Sequence, residues 1–147
     1  MVEHPILRQT VLDAVDARAL AEFYRELLGL RYRVGDEPPV DGGPDLRARD
    51  WLALRDDRGM PVLAFQPVAE QPPVTWPEGD QPQRAHLDLT VPSLDDLERH
   101  HRRAQELGAT LLLDRSDDPD EPLYVYADPS GQPFCLFVAP GTPDDGH

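Results

Sequence analysis

The chain has 147 residues, 39% of them hydrophobic, and carries a formal charge of -14, which suits one soluble domain with a strongly hydrated surface and argues against attraction to nucleic acid or anionic membrane. All 14 basic residues are arginine, so chemistry through a lysine Schiff base is excluded. The single Cys135 rules out an internal disulfide, no apolar run approaches the length of a membrane span, and no signal-peptide pattern opens the chain, so the cytoplasm is the expected location.

In chain order, Ile6 to Asp13 is predicted as a strand. Asp16 then precedes Ala17 to Leu28, where Leu20, Phe23, Tyr24, Leu27 and Leu28 recur at helical spacing, and Gly29 can take the left-handed position that ends a helix. Leu30 to Val34 follows as a strand, and the Gly-, Pro- and Asp-rich stretch from Gly35 to Asp50 as a surface loop. Trp51 to Arg55 and Val62 to Gln66 form two further strands joined by the turn DDRG. The proline-rich segment PVAEQPPVTWPEGDQP has no period and is assigned as a connector, with Trp76 the one aromatic residue in it.

After the connector the plan repeats. Ala85 to Val91 is predicted as a strand, with Leu87, Leu89 and Val91 on one face and His86, Asp88 and Thr90 on the other. Ser93 is placed to cap a helix over about Leu94 to Leu107, and Gly108 to stop it. A short strand at Thr110 to Leu113, an acidic loop, and the pair Leu123 to Ala127 and Pro133 to Val138 joined by DPSG complete the second copy. The tail GTPDDGH has no apolar anchor and is expected to be loose. Two halves of this size would bury little alone, so one joint core and a single domain over 1–147 is expected: module one at about 6–67, connector at about 68–83, module two at about 84–139.

This arrangement, with AEFYRELLGL after the first strand, AHLDLTVPSLDDL opening the second half and YADPSGQPFCLF at the end, resembles the vicinal oxygen chelate superfamily of glyoxalases, extradiol dioxygenases and fosfomycin and bleomycin resistance proteins. Within it the chain is similar to bacterial glyoxalase-like domain proteins, in VLD at Val11 to Asp13, Phe23-Tyr24, Leu27 to Gly29 and Trp76-Pro77. The resemblance implies an α+β, glyoxalase-like fold: two tandem βαβββ modules forming an eight-stranded cup around a central cleft, in a protein that forms a homodimer.

In metal-dependent members each half gives a ligand from its first strand and another, usually glutamate, from its last. By position these fall on Gln9 and His86 for the first strands and on Cys135 for the last strand of half two, while Leu63 to Phe65 in half one offers no ligand. With no carboxylate at either last-strand place, the expected reading is a metal-free site: cofactors none, metal ligands none, and capture of a small, partly aromatic organic molecule by Gln9, Asp13, Trp51, Trp76, His86, Asp88 and Tyr124. The alternative is an enzyme, either a lyase or isomerase with His86 as general base oriented by Asp88 or Gln9, or a metal-dependent relative whose site is rearranged so that Asp88 supplies the carboxylate. Cys135, between Phe134 and Leu136, is expected as a small apolar core residue, Phe65 as core, and His100 and His101 as part of a solvated basic helix face. No glycine-rich nucleotide loop, paired-cysteine zinc motif or GxSxG elbow is present.

Overall fold

The computed structural model describes residues 2–72, 74–76, 79–80 and 82–139; Pro77 and the tail 141–147, singled out above, lie outside the described residues. The chain divides into two compact units at Gln71 and Pro72. Each holds a helix and a four-stranded mixed sheet, in the same order along the chain. Among the described residues no helix is long and apolar enough to cross a membrane.

In the first unit, β1 (Thr10–Ala14) leads into α1 (Ala17–Leu28), followed by β2 (Arg31–Tyr32), β3 (Leu52–Arg55) and β4 (Pro61–Pro67). The sheet order is β1-β4-β3-β2, with β1 and β4 parallel and the other pairs antiparallel. The helix starts where the Asp16 carboxylate accepts from the Ala19 amide at 3.0 Å and ends at Gly29 with φ 68. Register puts Leu12, Phe65 and Leu52 in one row and Leu63 and Leu54 in the next, all on the face that meets α1. Leu20, Phe23 and Tyr24 of α1 complete this core, with Tyr24 stacked on Phe65 at 6.2 Å, so Phe65 is core as expected.

The long loop between β2 and β3 is held from within. Asp36, fully buried, accepts from the Ala53 amide at 2.9 Å and from Arg47 at 2.7 and 3.1 Å. Arg18 of α1 makes a two-pronged pair with Asp45 at 2.7 and 2.9 Å. Arg47–Arg49 winds into a single 3-10 turn, an element the composition of the loop had concealed.

In the second unit, β5 (Leu87–Val91), α2 (Leu94–Leu107), β6 (Thr110–Arg115), β7 (Leu123–Ala127) and β8 (Pro133–Val138) repeat the order, and the sheet runs β5-β8-β7-β6. Ser93 accepts from the Asp96 amide at 3.2 Å and Gly108 ends α2 with φ 119. Leu97 and Ala104 of α2 are buried together with Tyr124, Tyr126, Phe134 and Leu136. Those four residues alternate onto the face that meets α2, as Tyr126 stacking on Phe134 at 4.8 Å and Tyr124 donating to Glu98 of α2 at 2.7 Å require.

Four expectations change, two of them only in strand length: β2 is confined to Arg31–Tyr32 within the expected Leu30 to Val34, and β5 begins at Leu87 rather than Ala85. The first strand begins at Thr10 rather than Ile6, because Ile6 and Leu7 make no ladder and are 83% and 91% exposed. His101 is not part of a solvated face: its Nδ1 lies 2.7 Å from the Tyr126 hydroxyl and its ring stacks on Tyr124 at 3.8 Å. His100 is half-buried as well, and burial, reinforced by the neighbouring Arg99, holds its imidazole below the usual histidine range.

Candidate functional site

The site forms on the face of the second sheet opposite α2. Alternation along β5 turns Leu87, Leu89 and Val91 one way and Asp88 and Thr90 the other. The parallel ladder places Asp88 directly beside Cys135, whose neighbours Phe134 and Leu136 point to the helix side. His86, immediately ahead of the strand, brings Nε2 to 3.0 Å from Asp88 Oδ1. A nitrogen, a carboxylate oxygen and a thiol sulfur thus converge, with all three ligating atoms within 4.8 Å of one another. Among the described residues this is the one group of three His, Cys, Asp or Glu side chains so placed.

The electrostatics decide what the thiol can do. Burial, then the charge of Asp88 and a hydrogen bond to it, push the Cys135 thiol up to about 11. A thiol held protonated by a carboxylate is a poor nucleophile at neutral pH, so covalent catalysis through Cys135 has no support in this geometry. The same three groups do fit a borderline-soft divalent cation. Donors bound to tetrahedral zinc sit roughly 3.3–3.8 Å apart; His86 and Asp88 are already that close at 3.0 Å, and the widest separation, no more than 4.8 Å, would need to close by about an ångström at most. A cation held there would offset the desolvation and take the place of the thiol proton.

Around the imidazole the second unit supplies a wall. Trp76 lies flat over His86, ring centroids 5.1 Å apart and planes 11° from parallel. With the Gln83 amide in the orientation that satisfies both its ends, its oxygen accepts from the Trp76 indole N–H at 2.8 Å and its nitrogen donates to the Ala85 carbonyl at 3.1 Å. Gln132 also donates to that carbonyl, at 2.7 Å.

A family model described as "Glyoxalase-like domain" matches residues 9–137. The chain belongs to the glyoxalase-like domain family, within the vicinal oxygen chelate superfamily. Solved structures share the fold at low identity. A glyoxalase/bleomycin resistance protein/dioxygenase family enzyme from Burkholderia phytofirmans PsJN is 15% identical over 89% of this chain and 96% of its own, with a TM-score of 0.61. A possible glyoxalase from Bacillus cereus is 15% identical over 88% and 96%, at 0.56. A variant of the fosfomycin resistance protein FosX from Listeria monocytogenes, complexed with Mn(II) and 1S,2S-dihydroxypropylphosphonic acid, is 12% identical over 95% and 94%, at 0.62. No curated protein sequence matches the chain significantly.

In this glyoxalase-like chain the residues singled out from sequence separate into groups. His86, Asp88 and Trp76 come together, and Cys135 joins them. Tyr124 lies on the other face of the same sheet, buried between His101 and Glu98. Gln9, Asp13 and Trp51 belong to the first unit: Gln9 and Trp51 are half-buried just ahead of β1 and β3, and Asp13 is exposed within β1. Gln83 and Gln132 carried no sequence signal, since amides in a polar connector and a turn look like ordinary surface.

Proposed function

We propose that this glyoxalase-like protein binds a thiophilic divalent cation, zinc foremost, through His86, Asp88 and Cys135, and uses that centre to take a small oxygenated organic molecule. The observation that carries the reading is the convergence of nitrogen, oxygen and sulfur donors at the position where the resemblance anticipates a ligand pair. This supports the rearranged metal site over metal-free capture, which was the favoured expectation from sequence. Three protein donors leave a coordination position for a ligand oxygen, as catalytic zinc sites do. Magnesium and calcium match poorly, because they take oxygen donors throughout. When bound, the cation supplies Lewis acidity, polarising a carbonyl or hydroxyl oxygen of the ligand. Without the cation Asp88 holds His86 Nε2 at 3.0 Å, a bond that ligation by both residues would replace, and Trp76 offers an aromatic wall beside the imidazole. The FosX variant with Mn(II) and a diol phosphonate supports the idea that the fold accommodates a cation and an oxygenated ligand together.

The test is metal analysis. Chelator-treated protein, dialysed against zinc and then against buffer, should retain one zinc per chain, and His86→Ala and Cys135→Ser should retain none. A wild-type protein that emerges metal-free from the same dialysis overturns the reading. A second reading, proton abstraction by His86, is favoured by the His86–Asp88 pair alone. With the Nε2 proton directed at Asp88, Nδ1 keeps the free lone pair of a general base. Exchange of an acidic C–H of a bound ligand in the presence of chelator selects this second reading over the first.

A further inference from the structure

His86 is poorly placed to hold one geometry on its own account. It sits just ahead of an edge strand, with a side chain 33% exposed, where an imidazole samples several rotamers. Three contacts limit it here. Asp88 holds one nitrogen, Trp76 covers one ring face, and Gln83 holds the Trp76 indole. Gln83 and Gln132 also share the Ala85 carbonyl, so the peptide that leads into His86 is tied by two donors. The segment ahead of β5 therefore reaches the site through one amide and one ring, neither of them part of the donor set.

We infer that Gln83 and Trp76 form a clamp that fixes the His86 imidazole where it meets Asp88 and Cys135, and so sets the cation affinity of the centre. The inference rests on the metal reading given above. Both are positioning residues, acting through His86. The physical basis is preorganisation: a ligand already held in its bound rotamer loses less freedom when the cation arrives, and partners that orient a metal-binding histidine are commonly worth about 10- to 100-fold in affinity.

The test uses zinc and cobalt(II) as probes. The chain has two tryptophans, so Trp51→Phe leaves Trp76 as the single indole. In that background cobalt(II) should quench the Trp76 emission and saturate at one equivalent. Zinc affinity, measured by competition with a chromophoric chelator, should fall about tenfold in Trp76→Ala and in Gln83→Ala, and by less than in Trp76→Ala for Trp76→Phe, which keeps a flat ring but loses the N–H that Gln83 holds. Gln83→Ala leaves the ring in place and carries the test if Trp76→Ala does not fold. Parent-like zinc affinity in Gln83→Ala, or in a folded Trp76→Ala, together with saturating quenching in the single-tryptophan protein, overturns the clamp and leaves the metal centre standing. Undetectable zinc binding by the wild type, or equal binding by His86→Ala, removes the centre and the clamp with it.

Discussion

Replacing Asp88 by Asn tests the local geometry without any metal. Asparagine keeps the size and an oxygen that can accept from His86, but removes the charge that sits beside Cys135. That charge disfavours the thiolate, so its loss must lower the thiol titration. Taking 4.8 Å as the outer separation of the ligating atoms, the Coulomb energy is ~0.9 kcal/mol in bulk water and ~3.5 kcal/mol at an effective dielectric near 20. These correspond to about 0.6 and about 2.5 pH units. The Asp88 side chain is 55% exposed, which places the effect toward the watery end, at about one unit. Burial, the largest cause, is untouched by the substitution, so the midpoint should fall from about 11 and still remain above that of an ordinary thiol. Because the chain has one cysteine, its Cβ carbon shift can be followed by NMR against pH in chelator-treated wild type and Asp88→Asn. An identical midpoint in the two proteins, or a wild-type midpoint at the value of a free thiol, refutes the contact between Asp88 and Cys135.

Asp36→Ala removes a fully buried carboxylate and strands the Ala53 amide and two guanidinium groups; urea unfolding should show a loss of about 3 kcal/mol, and a loss below about 1 kcal/mol contradicts a buried role. Burial alone would raise the Asp36 carboxyl, but hydrogen bonds from Arg47 and the Ala53 amide, then Arg33, outweigh it and lower it. Its contribution to stability is therefore complete above the ordinary carboxylate range and is lost as pH falls through the lowered native value, so Asp36→Asn should flatten the acid limb of the stability profile. Tyr126→Phe leaves His101 Nδ1 without its hydroxyl partner and should cost about 1 kcal/mol in the same assay, whereas a solvated His101 would make the change neutral.

The helices were legible because their signals are local. The three-and-four spacing in α1, the Asp16 and Ser93 caps, and the left-handed Gly29 and Gly108 depend on neighbours within a few residues. The start of β1 was not, because Ile6 and Leu7 have strand-like side chains but no partner strand, and partnership with β4 is decided by chain more than fifty residues away. The paired histidines of α2 failed for a related reason. Their sequence surroundings are basic, but His101 is covered by Tyr124 and Tyr126, which arrive from β7.

The candidate site divides along the same line. Alternation along the predicted strand from Ala85 to Val91 put His86 and Asp88 on one face, and that much follows from a period of two. Placing Cys135 beside them needed the register between β5 and β8, which are parallel and joined through α2, β6 and β7, so no local turn fixes it. The flanking Phe134 and Leu136 argued for plain core, and the burial of Cys135 agrees with them. Alternation also means that a residue between two helix-facing neighbours must turn to the opposite side. Its apolar flanks were therefore evidence that Cys135 does not share their surroundings, and the face left to it is the one carrying Asp88. Cys135 is thus core, as its flanks predicted, and at the same time within reach of a carboxylate and an imidazole, the arrangement on which the proposed cation site rests.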